Sequence, residues 1–238
     1  MDVGVILLTL VCYALACLLW WQLHTPVFLL CLLSGHVGAL ASPLWVLLYG
    51  VTYRADLGVW FDVLGQPVYS SVVIASAWFY PLPALIILYL HRVRWLGARY
   101  TIALLTFLVM AIYHFIIETI GLGLNIWSYD AAPLLPFGLS HGLISTALAA
   151  TISMVLLYTV LVVQRFSLIS MVLSLVPATL VFSLMIQGVL GAPFWVSLRF
   201  AESQSWVLII GMLSTLGLLG WAVHIIAWGM DHMNWELV

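Results

Sequence analysis

The chain has 238 residues, of which 66% are hydrophobic and 6% charged, whereas soluble domains carry about 25% charged residues. That contrast excludes a soluble globular domain and marks an integral membrane protein. A formal net charge of -2 leaves no basic patch to hold a nucleic acid.

A membrane-crossing helix needs about 20 apolar residues. Seven blocks meet that length, roughly 3–22, 26–50, 69–90, 101–123, 136–163, 167–190 and 205–229. The alternating segments of about ten residues that mark a membrane barrel are missing. The expected fold is therefore an all-α integral-membrane protein, a seven-helix transmembrane bundle forming one polytopic domain over residues 1–238.

The first block opens Met1-Asp2-Val3-Gly4 without a basic segment, so it is expected as a retained span and not a cleaved signal. Cys12, Cys17 and Cys31 fall within apolar blocks, where free cysteines pack as small hydrophobes. Their spacing suggests neither zinc nor a disulfide framework. His24-Thr25-Pro26 separates blocks one and two. Pro43, Pro81, Pro83 and Pro177 lie inside blocks and are expected to kink them.

Every basic residue is an arginine. Arg92, Arg94 and Arg99 share the loop between blocks three and four, and Arg165 follows block five. The opposite side holds Arg54 and Arg199. Basic loops favour the cytoplasm, which places the N-terminus outside and Asp231–Val238 inside. The loops 51–68, 124–135 and 191–204 then form the extracytoplasmic face, with Trp60, Trp127, Tyr129 and Trp195 as an aromatic belt or as a rim over a pocket. The seven-span plan resembles that of the rhodopsins, but retinal needs a lysine for its Schiff base. The chain has none.

The fourth block carries the strongest chemical signal. It reads Tyr113-His114-Phe-Ile-Ile-Glu118, then continues to Trp127-Ser128-Tyr129-Asp130. A carboxylate is expensive to keep in hydrocarbon, so an acid there is a functional candidate. His114 stands four residues before Glu118, on the same helix face. On the fifth block His141 and Ser145 share a face in the same way. The seventh carries small residues at Gly211, Ser214, Gly217 and Gly220, which favour close helix approach, and ends near His224. His36 and Gln187 stand alone in their blocks. Zinc usually takes three or four ligands, and no HxxxH, HExxH or HxxE-type pair recurs on two helices to supply them. A bis-histidine haem between two spans is conceivable from His36, His114, His141 and His224, but the sequence gives no pairing for it. No cofactor is expected.

An apolar setting disfavours the charged form of a carboxyl and keeps a proton available, the state a general acid needs. Aromatic faces stabilise a carbocation. Glu118, His114 and His141 are thus the expected catalytic residues. Trp127, Tyr129, Asp130, Tyr113 and Trp78 are expected to bind the substrate, an apolar isoprenoid or lipid.

The cassette resembles the small integral-membrane lycopene cyclase domain. That family has an acidic residue, then a Trp-x-Phe-Asn-like turn, then a Phe-Gly-Leu-Pro stretch opening the next helix. Glu118, Trp127-Ser128-Tyr129-Asp130 and Pro136-Phe137-Gly138-Leu139 follow that order at similar spacing. Related carotenoid-biosynthesis membrane proteins, including hydratase-like ones, are similar in having a Glu, a downstream Tyr and many spans. The resemblance implies a redox-neutral cyclase, hydratase or isomerase acting on an isoprenoid or carotenoid. The chain departs from the cyclase pattern at Ser140-His141-Gly142, where that family has paired glutamates. The His-x-x-x-Glu helix also resembles the sterol-isomerase type called emopamil-binding protein. The alternative is a non-catalytic membrane protein, either a small-solute or lipid transporter or a subunit of a membrane complex.

Overall fold

The computed structural model describes residues 3–54, 56–97, 99–129, 141–200 and 205–233. Seven helical stretches among them are long and apolar enough to cross a bilayer: Val3–Leu23, Val27–Tyr49, Ser70–Arg92, Tyr100–Gly123, His141–Val163, Leu168–Leu190 and Trp206–Asp231. The protein is an all-α seven-helix bundle of the integral, multi-pass membrane type.

Span one is a single helix, α1 (Val3–Leu23), whose buried residues Thr9, Cys12 and Ala16 form one narrow stripe. That stripe spacing matches one face of a helix. Span two breaks into α2 (Val27–Gly38), a tight turn at Ala39–Ala41 and α3 (Ser42–Tyr49), with Pro43 in the first turn of α3. Gly50, at φ 64, ends α3 and releases β1 (Val51–Tyr53). Strands β2 (Val59–Val63) and β3 (Gln66–Tyr69) form a hairpin. Its turn residues Leu64 and Gly65 both have positive φ, the backbone that a two-residue hairpin turn requires.

Span three divides into α4 (Ser70–Phe79) and α5 (Pro81–Arg92), with prolines opening α5. Span four is the unbroken α6 (Tyr100–Gly123), followed by β4 (Trp127–Tyr129). Span five is α7 (His141–Val163). Span six joins α8 (Leu168–Leu175), α9 (Ala178–Ser183) and a π-helix at Leu184–Leu190. The short α10 (Ala192–Leu198) leads to α11 (Ser205–Asp231), which contains span seven. The breaks at Pro43, Pro81 and Pro177 have one cause. Proline lacks the N–H that would continue the helix ladder, and its ring clashes with the preceding turn.

Helix α7 is the centre of the bundle and packs against α5, α6, α9 and α11. Its Leu148, Ile152, Met154, Leu156 and Leu157 are fully buried. Successive spans alternate in direction, so Arg92, Arg94, Arg99 and Arg165 share one end of the bundle. Arg92 donates to the Gln164 side chain there at 2.8 Å. At the other end Arg199 reaches the Leu47 carbonyl at 3.4 Å. Small residues on span seven do not form one continuous contact ridge. A side chain on Gly211 would collide with Ser197 and the Pro193 carbonyl of α10, whereas Gly217 and Gly220 have open space beside them. His224 instead meets the Tyr100 hydroxyl of α6 at 2.8 Å.

Candidate functional site

The buried face of α6 runs Ala103, Thr106, Met110, His114, Glu118 and Gly121. Steps of three and four residues keep all of them on one stripe, so His114 and Glu118 both point into the bundle. After Gly123 the chain reverses sharply. Ile126 N–H donates to the Gly121 carbonyl at 2.9 Å and Asn125 N–H to that of Leu122 at 3.1 Å. Asn125 has φ 51. This is a Schellman ending, in which a left-handed residue closes the helix and satisfies its last carbonyls.

The reversal lays β4 back over the end of α6. Strand β1 fixes it there by antiparallel pairing, with Val51 opposite Tyr129 and Tyr53 opposite Trp127. Both aromatic side chains of β4 then reach Glu118. Tyr129 Oη donates to Glu118 Oε1 at 2.6 Å, and Trp127 Nε1 donates to the same oxygen at 3.3 Å. Tyr129 Oη also stands 2.9 Å from Ser145 Oγ of α7. Burial, and next the neighbouring Glu118, push the Tyr129 phenol well above its ordinary range. Burial pushes Tyr53 up as well. Both stay O–H donors.

One turn deeper, His114 Nε2 meets Ser153 Oγ at 2.8 Å, and Ser153 donates to the Tyr80 carbonyl at 2.9 Å. That carbonyl lies at the break between α4 and α5. Phe79, Tyr80 and Tyr113 surround the imidazole with ring centroids 5.0, 5.9 and 5.1 Å away.

Glu118, His114, Trp127, Tyr129 and Trp78 all line a cavity of about 570 Å³. This volume falls within the range of roughly 300–1,000 Å³ usual for small-molecule sites. Other walls come from Val5 of α1, Trp45 of α3, Phe79 and Tyr80 of span three, and Gln187 of the π-helix. The cavity therefore lies toward the bundle end that carries β1 and β4. It is larger than a cleft between spans four and five, because the broken spans two and three open space beside them.

Two of the expected site residues do not line the cavity. His141 does not face Glu118 across the cavity. Its ring stacks behind Tyr129 at 5.3 Å and against Phe194 at 5.2 Å. The returning β4 puts Tyr129 in the space opposite the acid, which displaces His141 from it. Tyr113 does not line the cavity either, and its hydroxyl donates to the Trp78 carbonyl at 3.3 Å. Asp130 and the stretch Pro136–Leu139 lie outside the described residues.

Nothing in the sequence marks Trp45 and Tyr80 as cavity residues, or Ser145 as the contact of Tyr129. Gln187 carried a readable signal, as a lone amide in an apolar span. Its Nε2 donates to Tyr80 Oη at 2.9 Å, and its backbone carbonyl accepts from the Tyr49 hydroxyl at 2.7 Å. It sits in a π-helix, a distortion often found at functional sites. Among the described residues, no group of three or more His, Cys, Asp or Glu side chains gathers into a metal-holding cluster. Comparison of the chain with family models, curated proteins and solved structures returns no match.

Proposed function

We propose that the protein is a membrane-embedded enzyme acting on an apolar isoprenoid or carotenoid by redox-neutral acid catalysis, as a cyclase, hydratase or isomerase. One observation carries this reading: Glu118 is the one acid among the described residues lining an aromatic-walled cavity within the membrane-spanning bundle. An apolar chain enters such a cavity by the hydrophobic effect. Glu118 gives a proton to a carbon–carbon double bond, and the resulting cation is met by the faces of Trp78, Trp127, Trp45 and Phe79. The resemblance of the Glu118 cassette to the lycopene cyclase domain supports the same chemistry.

The arginine distribution supports an N-terminus outside, a C-terminus inside and a site near the extracytoplasmic face. The test is expression in a host that accumulates lycopene or another prenylated precursor. A new product of unchanged oxidation level is expected in the extracted lipids. Glu118→Gln keeps the side chain's size and removes the proton donor, and loss of a general acid lowers rate about 10²–10⁴-fold. A well-inserted Glu118→Gln protein with undiminished activity rejects this function.

A further inference from the structure

We infer that the Glu118 cavity opens sideways into the bilayer through a gap between α1 and the end of α6, and admits an apolar chain already dissolved in the membrane. The route rests on the apolar substrate proposed above and gives the physical state in which that substrate arrives. Helix α1 packs on α2 and α4, whereas α6 packs on α5, α7 and α11. Trp78 of α4 bridges the two. Its Nε1 donates to Thr9 Oγ1 of α1 at 3.1 Å, and its carbonyl accepts from the Tyr113 hydroxyl of α6 at 3.3 Å. Spans one and four run in opposite directions, so Gly4 and Ile120 both lie beyond this bridge, toward the bundle end that carries β1 and β4. At 1.5 Å per residue they stand roughly 7 Å from Thr9 and roughly 10 Å from Tyr113 along their helices.

Beyond the bridge both helices contribute to the cavity wall. Gly4 and Val5 of α1 line it, as do Ile117, Ile120 and Leu124 at the end of α6. Ile120 is nevertheless 49% exposed and Leu124 60%, and Gly4 is exposed as well. Ile116 and Thr119, beside Ile120 on the outer face of α6, are exposed too. A residue that lines the cavity and also shares the outer surface stands at the cavity's edge. A β-carbon on Gly4 would meet nothing within 4 Å, so the α1 side of the gap is open space. Gly4, Val5, Ile117 and Ile120 belong to membrane spans, and none of them carries a polar side chain. A chain crossing this edge from lipid meets apolar surface throughout, and it avoids the exposure to water that an isoprenoid resists. The bundle end differs. The paired strands β1 and β4 lie there, with Tyr53, Arg54 and Tyr129 in the lining.

Photolabelling tests the route without turnover. The full chain is reconstituted in phosphatidylcholine vesicles that include a phosphatidylcholine with a diazirine on one acyl chain. After irradiation, adducts are located by peptide mass spectrometry. They are expected on Ala75 and Glu118, which line the cavity, and on Phe115 and Ile116, which face outward from α6. Gly4→Trp and Ile120→Trp fill the gap and should lower the cavity adducts several-fold. Adducts on Phe115 and Ile116 should stay constant, which also reports correct insertion. Ile112→Trp, on the outer face of α6 and away from the cavity lining, should leave both sets unchanged. Cavity residues unlabelled in the wild type overturn the route, as does equal cavity labelling in the wild type and both narrowed variants. An equal loss in Ile112→Trp overturns it too. A wild type that shows the expected pattern yet forms no isoprenoid product rejects the acid chemistry and leaves the side entry standing.

Discussion

The indole of Trp127 rests on Gly121, six residues earlier, so closely that a β-carbon on residue 121 would overlap the ring. Glycine here serves a close approach and not a turn. The contact lets the chain fold back over α6 within one reversal and brings the indole N–H to Glu118. Gly121→Ala is expected to push the ring off the helix and break that hydrogen bond. Overpacking of this kind costs roughly 1–3 kcal/mol. Thermal unfolding in detergent should fall accordingly, with a shift in tryptophan emission. Gly217→Ala, at a position with open space beside it, should change neither.

Ser34 of α2 caps a helix to which it does not belong. Its Oγ accepts from the Thr179 backbone N–H at 3.0 Å and lies 2.7 Å from Thr179 Oγ1. Pro177 breaks span six just before this point and frees the first N–H groups of α9. Ser34→Ala leaves a buried donor without an acceptor, at a cost of about 1–3 kcal/mol. A measurable fall in melting temperature is expected, whereas Ser214→Ala on an exposed surface should leave it unchanged. Equal stability of the two variants would show that the cap contributes nothing.

The features that the sequence displays are those set by length and local chemistry. The membrane spans follow from apolar run length, and their breaks from three proline positions. Glu118 and His114 are legible as one face because four residues make about one turn. The return of Trp127 and Tyr129 onto Glu118 is not legible, since it depends on pairing with β1 some 75 residues away. Asn125 was the local hint, a residue suited to the left-handed position that closes a helix. The depth of the cavity was hidden for a similar reason. It is opened by breaks in spans two and three, which carry no charged residue to mark them.

The two half-buried phenols make stability depend on alkaline pH. An ordinary tyrosine ionises near pH 10, and burial raises Tyr53 and Tyr129 above that in the folded state. Below pH 10 both states keep their protons and no slope arises. Above it the unfolded chain loses protons that the folded chain retains, so stability falls as pH rises. Tyr53→Phe should make that alkaline fall shallower while leaving stability near neutral pH little changed. Denaturation curves of the two proteins across the alkaline range decide it, and parallel curves would place Tyr53 in water.

The two ends of the bundle should label from opposite sides of the membrane. Leu64, in the turn of the β2–β3 hairpin, is 80% exposed. Gly97, in the loop after α5, is also exposed. An odd number of spans separates their two faces, and the arginines at positions 92, 94, 99 and 165 favour the cytoplasm for the second. In a background lacking Cys12, Cys17 and Cys31, Leu64→Cys should react with a membrane-impermeant maleimide in intact cells. Gly97→Cys should react only after the membrane is opened. The reverse pattern would invert the bundle and turn the mouth of the Glu118 cavity toward the cytoplasm. Labelling of both from one side would mean that Ser70–Arg92 does not cross the membrane.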